Sequence, residues 1–107
     1  MRYNQISLTF RGVTMSVARI TTVTFKSQSA ADVAAMSYVK NAPVDFPEAE
    51  QLLGIKAEGN TLIAVSLYAN NESMERGTAS RKKVLDANEE VVSVETQVGT
   101  VEINHSN

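Results

Sequence analysis

The side chains able to carry chemistry are few in this chain. It has no cysteine, no tryptophan and one histidine, His105. Without cysteine there are no disulfides, thiolate metal sites or cysteine nucleophiles. A lone histidine beyond the last patterned segment reads as an exposed polar residue rather than a ligand or base. Metal binding would then need clustered carboxylates. The closest pair, Glu89 and Glu90, are neighbours that point apart on a helix, so no metal is expected. The run Arg81-Lys82-Lys83 reads as a solvated helix face rather than an anion site. No glycine-rich phosphate loop, nucleophile elbow or nucleic-acid motif is present.

Four residues remain as candidate ligand-binding positions: Arg19, Tyr38, Tyr68 and Asn70. Arg19 is a charge inside an apolar strand pattern, and a buried guanidinium needs a carboxylate or an anionic ligand. Tyrosines can stack on an aromatic ligand while their hydroxyls hydrogen-bond it. Asn70 follows the most apolar strand and would sit at its rim. Each also has an ordinary reading: Arg19 in an interfacial salt bridge, the tyrosines in the core with a wet tip, Asn70 as a helix cap.

The rest of the chain must position these groups. At 107 residues it has the size of one domain with one core. Its apolar fraction is 43% and its net charge −2, which is neither the composition of a disordered chain nor an electrostatic case for nucleic acid or an anionic membrane. No apolar run reaches the roughly 18 residues of a membrane helix. Polar residues interrupt the segment after Arg2, a poor signal-peptide core. With no address visible, a cytoplasmic location is the default expectation.

Residues 1–14 are read as an extension or an extra strand, with Ile6, Leu8 and Phe10 alternating with polar residues; the other reading is an over-long start, with Met15 as the true initiator. One domain spans 15–103, and 104–107 form a tail expected to fray. Residues 16–26 are rich in β-branched side chains and predict a strand. Ser29 with Asp32 three positions on predicts a helix start, Val33, Met36 and Val39 or Lys40 recur at helical spacing, and Asn41 with Pro43 predicts its end. A loop at 42–47 leads to a strand at 50–58, a tight turn at Gly59-Asn60 and a strand at 61–69. Asn70-Asn71 starts a second helix, which runs to about residue 88 with Gly77 inside it. A last strand follows at 94–103, with Gly99 as a bulge or bend.

The order strand, helix, strand, strand, helix, strand is the split βαβ pattern of an α+β, ferredoxin-like fold: a four-stranded antiparallel sheet with both helices on one face. The uncovered face should then alternate apolar with polar. It does not, because Ile63, Val65 and Leu67 oppose Leu62, Ala64 and Tyr68, while Ala18 and Ile20 oppose Val17, Val23 and Phe25. Two apolar faces call for a second layer, which a homodimer supplies by pairing sheets. The alternative is a monomer whose extra apolar residues are tolerated singly or covered by the N-terminal strand.

Val17-Ala18-Arg19-Ile20, Leu53-Gly54-Ile55, Leu67-Tyr68-Ala69 before an Asn/Glu-rich helix start, and Val98-Gly99-Thr100-Val101-Glu102 together resemble the dimeric α+β barrel superfamily, close to its antibiotic-biosynthesis-monooxygenase-like domains. The likeness covers about residues 16–103 and is one of pattern and order. It implies a homodimer whose sheets form a barrel, with a small cavity between sheet and helices in each protomer. Members include cofactor-independent oxygenases of polyketide-like aromatics, haem-degrading enzymes and proteins without known activity. Haem-degrading relatives use a helical histidine with an asparagine and a tryptophan, and no such set can be placed here, so no cofactor is expected. Two expectations stand side by side: a domain binding a small apolar or aromatic molecule, as a monooxygenase-like enzyme would, or a non-catalytic homodimerisation domain.

Overall fold

The computed structural model describes residues 16–107. The N-terminal extension or strand read at 1–14 lies outside the described residues. In chain order the elements are β1 (Val17–Phe25), α1 (Gln28–Asp45), β2 (Gln51–Ala57), β3 (Thr61–Tyr68), α2 (Asn71–Arg76), α3 (Thr78–Ala87) and β4 (Val91–Thr100). The sheet order is β2-β3-β1-β4, and every pairing is antiparallel. This is the ferredoxin-like α+β fold, its second helix divided into α2 and α3.

Strand periodicity sorts β1 into two faces. Val17, Arg19, Thr21, Val23 and Phe25 turn towards the helices and are buried; Ala18, Ile20, Thr22 and Thr24 turn away. The register carries the same division into the neighbours. Val17 pairs with Tyr68, Arg19 with Ser66, Thr21 with Ala64 and Val23 with Leu62, so these β3 residues share the helix-facing side. On the opposite side Ile20, Leu53 and Ile55 are 37%, 48% and 45% exposed. Apolar residues on both sheet faces are thus a property of the fold.

Several details differ from the sequence expectation. Ser27, not Ser29, caps α1: its hydroxyl accepts the Ala30 N–H at 3.1 Å. Asp32 instead pairs with Lys56 on β2. The helix runs through Pro43 to Asp45, and the Phe46 N–H reaches the Ala42 carbonyl at 2.8 Å, so the missing proline N–H does not end the helix. Val33, Met36 and Val39 are exposed, while Ala31 and Ala42 are buried and Ala34 and Ala35 pack on the core. Small residues let α1 approach the sheet closely; larger ones on that face would hold it off.

Gly77 breaks the second helix. A Cβ there would lie 3.3 Å from the Phe46 ring and 3.7 Å from the Tyr68 hydroxyl, so the helix passes close over Phe46 at this position and a side chain would press on that ring. The strand irregularity is at Val92, the extra residue where pairing shifts from Thr24 with Ser93 to Phe25 with Val91. Gly99 pairs regularly with Ala18. Gly59 and Asn60 both have positive φ, 74° and 61°, as the tight turn between β2 and β3 requires.

Two apolar clusters hold the helices to the sheet. Val23, Phe25, Ala31 and Leu62 form one, with Leu85 and Val91 packed against it. Val17, Tyr68 and Met74 form the other. The helix-facing column of β1 is therefore apolar at both ends and polar at Arg19 and Thr21 between them.

Candidate functional site

The gap between the two clusters is a partly open cavity of about 160 Å³. Its floor follows from the register. Gly54, Ala64, Thr21 and Thr96 form one row across all four strands, and all are small; Ala64 and Thr21 line the cavity, while the Tyr38 ring covers Gly54. The next row holds Leu52, Ser66, Arg19 and Val98. Small side chains on the floor, under helices propped by larger residues at both ends, leave space that close packing would otherwise fill. The walls repeat at helical spacing: Ala34, Ser37, Tyr38, Asn41, Ala42 and Asp45 from α1, and Arg81, Val84 and Leu85 from α3, with Asn88 following it.

Arg19 rises from the floor. It is 5% exposed and lies 5.9 Å from the centroid of the Tyr68 ring, within cation–π range. Its Nη1 donates to the Thr78 hydroxyl at 3.4 Å, and that hydroxyl donates to Glu75 at 3.2 Å. Its Nη2 is buried without a hydrogen-bond partner among the described residues, as is the Tyr68 hydroxyl. Arg19 forms no ion pair among the described residues.

Arg81 enters the same cavity from α3. Its Nη2 donates to Thr21 at 3.2 Å and to Thr96 at 2.5 Å, which ties α3 to the floor. Burial and then the positive charge of Arg19 push its pKa below the ordinary arginine value, while Tyr68 acts in the other direction. Tyr38 is half-buried, and burial, followed by Tyr68, raises its hydroxyl above the ordinary value of 10.0. Its phenol is neutral near pH 7.

Of the four positions singled out in the sequence, the structure brings Arg19 and Tyr38 together in the cavity wall. Tyr68 is fully buried beside Arg19 and does not line the cavity. Asn70 does not line it either; its side chain accepts the Ser73 N–H at 2.8 Å and caps α2. Arg81, read as part of a solvated basic run, is a lining residue that sequence reasoning missed. The signal was its place one turn before Val84 and Leu85, which puts it on their face of the helix. Asp45 was missed because the helix was expected to end before Pro43.

Among the described residues no cluster of His, Asp or Glu has metal-site geometry, and no helix is long and apolar enough to cross a membrane. His105 is exposed after β4.

No family model matches this chain, and no curated protein matches its sequence. Solved structures do match its fold. A dimeric ferredoxin-like protein from an uncultured marine organism superposes with a TM-score of 0.67 at 11% identity, over 87% of this chain and 93% of that one. A variant of SnoaB, a cofactor-independent oxygenase from Streptomyces nogalater, gives 0.65 at 14% identity, over 83% and 95%. A proposed antibiotic biosynthesis monooxygenase from Deinococcus radiodurans gives 0.66 at 12% identity, over 85% and 97%. The fold is thus the one shared by dimeric ferredoxin-like and antibiotic-biosynthesis-monooxygenase-like proteins.

Proposed function

We propose that this chain is a small-molecule-binding domain whose cavity between sheet and helices takes an aromatic compound, as a cofactor-independent, monooxygenase-like enzyme would. The observation that carries this reading is the cavity itself. Its floor is left open by the small residues Thr21, Ala64 and Ser66, its sides are apolar at Val23, Phe25, Leu62 and Leu85, and its polar groups converge from β1, α1 and α3. Tyr38 offers a ring for stacking and a neutral hydroxyl for hydrogen bonding. The oxygenase among the fold neighbours supports the same reading.

The working unit in this proposal is a homodimer joined through the sheet face that carries Ile20, Leu53 and Ile55. An apolar sheet face is stabilised by a second sheet packed on it. A second reading rests on this surface alone: a non-catalytic homodimerisation domain, favoured by the absence of tryptophan and of a histidine in the cavity lining.

Thermal-shift screening against phenolic and polyketide-like aromatic compounds, followed by oxygen-uptake measurements with any that bind, separates the readings. Stabilisation with oxygen consumption supports the enzyme. Stabilisation without it leaves a binding domain, and no stabilisation by any compound favours the dimerisation domain. Light scattering on the native chain and on Ile20→Glu tests assembly: a dimer that becomes a monomer is expected, and a monomeric native chain would overturn that part.

A further inference from the structure

The cavity holds more positive charge than the described residues neutralise. Arg19 and Arg81 both line it, and neither forms an ion pair among those residues. Arg19 is nearly inaccessible yet keeps an unpartnered Nη2. A buried guanidinium without a counter-charge is costly, and a bound anion would relieve that cost. The charged groups facing the pair are limited. Asp45 lines the cavity from the last turn of α1 without an ion pair, and Glu75 meets Arg19 only through Thr78. Away from the arginines, Val23, Phe25, Leu62, Val84 and Leu85 give the cavity an apolar wall. The volume, about 160 Å³, is close to that of a cavity that takes one benzene ring and well below the roughly 300 Å³ at which drug-sized pockets begin.

We propose that the cavity recognises an aromatic carboxylate of one-ring size, with its carboxylate held by Arg19 and Arg81 and its ring against Val23, Phe25 and Leu62. This rests on the small-molecule reading and narrows it to an anion. Guanidinium forks suit a carboxylate because two N–H groups match two oxygens. The apolar wall supplies the ring site. Thr21 and Thr96 fix Arg81 in place, so little side-chain freedom is lost on binding.

Isothermal titration calorimetry of the native chain with sodium benzoate, benzamide and inorganic phosphate tests this. Benzoate is expected to bind at least about tenfold more tightly than benzamide, which has the ring without the charge, and more tightly than phosphate, which has charge without the ring. Arg19→Gln and Arg81→Gln should each abolish the preference, and Arg81→Lys should retain part of it. If a variant fails to fold, the ligand series on the native chain still decides. Equal binding of benzoate and benzamide overturns the anion site while leaving a small-molecule cavity. Phosphate binding as tightly as benzoate overturns the ring acid. No binding of any of the three also overturns the proposal; if uncharged aromatics still stabilise the chain, the broader reading survives without it.

Discussion

The ring of Tyr38 on α1 closes over Gly54 on β2: a Cβ at position 54 would meet Tyr38 Cδ2 and Cε2 at 3.1 Å. Tyr38 is a cavity wall and Gly54 ends the row of small residues, so this contact sets how deeply α1 seats. Gly54→Val should force the helix outward and lower stability by about 1–3 kcal/mol, the usual cost of overpacking. The expected drop in Tm is about 4–8 °C per kcal/mol. Pairing the change with Tyr38→Ala should recover part of the loss that Gly54→Val causes alone. Additive losses in a double-mutant cycle would show that the contact does not matter.

Arg19 should lower the stability of the empty protein. Arg19→Met removes the buried, unpartnered Nη2 but also the cation–π contact with Tyr68 and the bond to Thr78. An uncompensated buried charge costs about 3–5 kcal/mol, while a hydrogen bond from a charged donor contributes about 1.5–3 and a cation–π contact about 0.5–2. The balance favours a gain of about 1 kcal/mol in the unliganded chain. Urea denaturation reads it directly, and a clear loss of stability would show that Arg19 is already compensated.

Asn70 separates capping from ligand binding. Asn70→Ala should cost about 1 kcal/mol through loss of the bond to Ser73, while Asn70→Ser should restore most of it. Neither should change benzoate affinity. A loss of affinity in a variant of native stability would return Asn70 to the ligand site.

Two exposed ion pairs set the acid limb of stability. Asp32 lies below its ordinary 3.8, mainly through its hydrogen bond from Lys56 and then from Gln28. Glu48 lies below its ordinary 4.5 because Arg76 donates to both its oxygens at 2.5 Å. A carboxylate with a depressed folded pKa stabilises fully above its unfolded value, and that stabilisation is lost as pH falls through the folded one. Stability should therefore decline below about pH 4.5, less steeply in Glu48→Gln and Asp32→Asn. Added salt should reduce both pair contributions, since both are solvent-exposed. Denaturation midpoints from about pH 6 to about pH 2 measure the slope.

Much of the architecture was legible because it depends on local pattern. The β-branched run of β1, the Gly59-Asn60 turn and the Asn70 cap each act over a few residues, and their order defines the split βαβ topology. The two-sided apolar character of β1 and β3 was likewise visible, because apolar residues fall on both alternating faces rather than on one. What failed locally was α1. Val33, Met36 and Val39 have helical spacing and suit a core, yet the structure turns them outward, because the distance between helix and sheet admits alanine and is set by neighbours far away in the chain.

The site divides along the same line. Sequence alone determined that a charge, Arg19, lies in an otherwise apolar strand, and that cysteine and tryptophan chemistry are absent. Only tertiary structure decided that Arg81 meets it, since the two are joined by sheet register and helix crossing rather than by spacing. The same register set Thr21, Ala64 and Ser66 side by side from two strands, and so turned separate small residues into one cavity floor. Long-range pairing is the physical reason: no single segment carries information about which residue will stand opposite it.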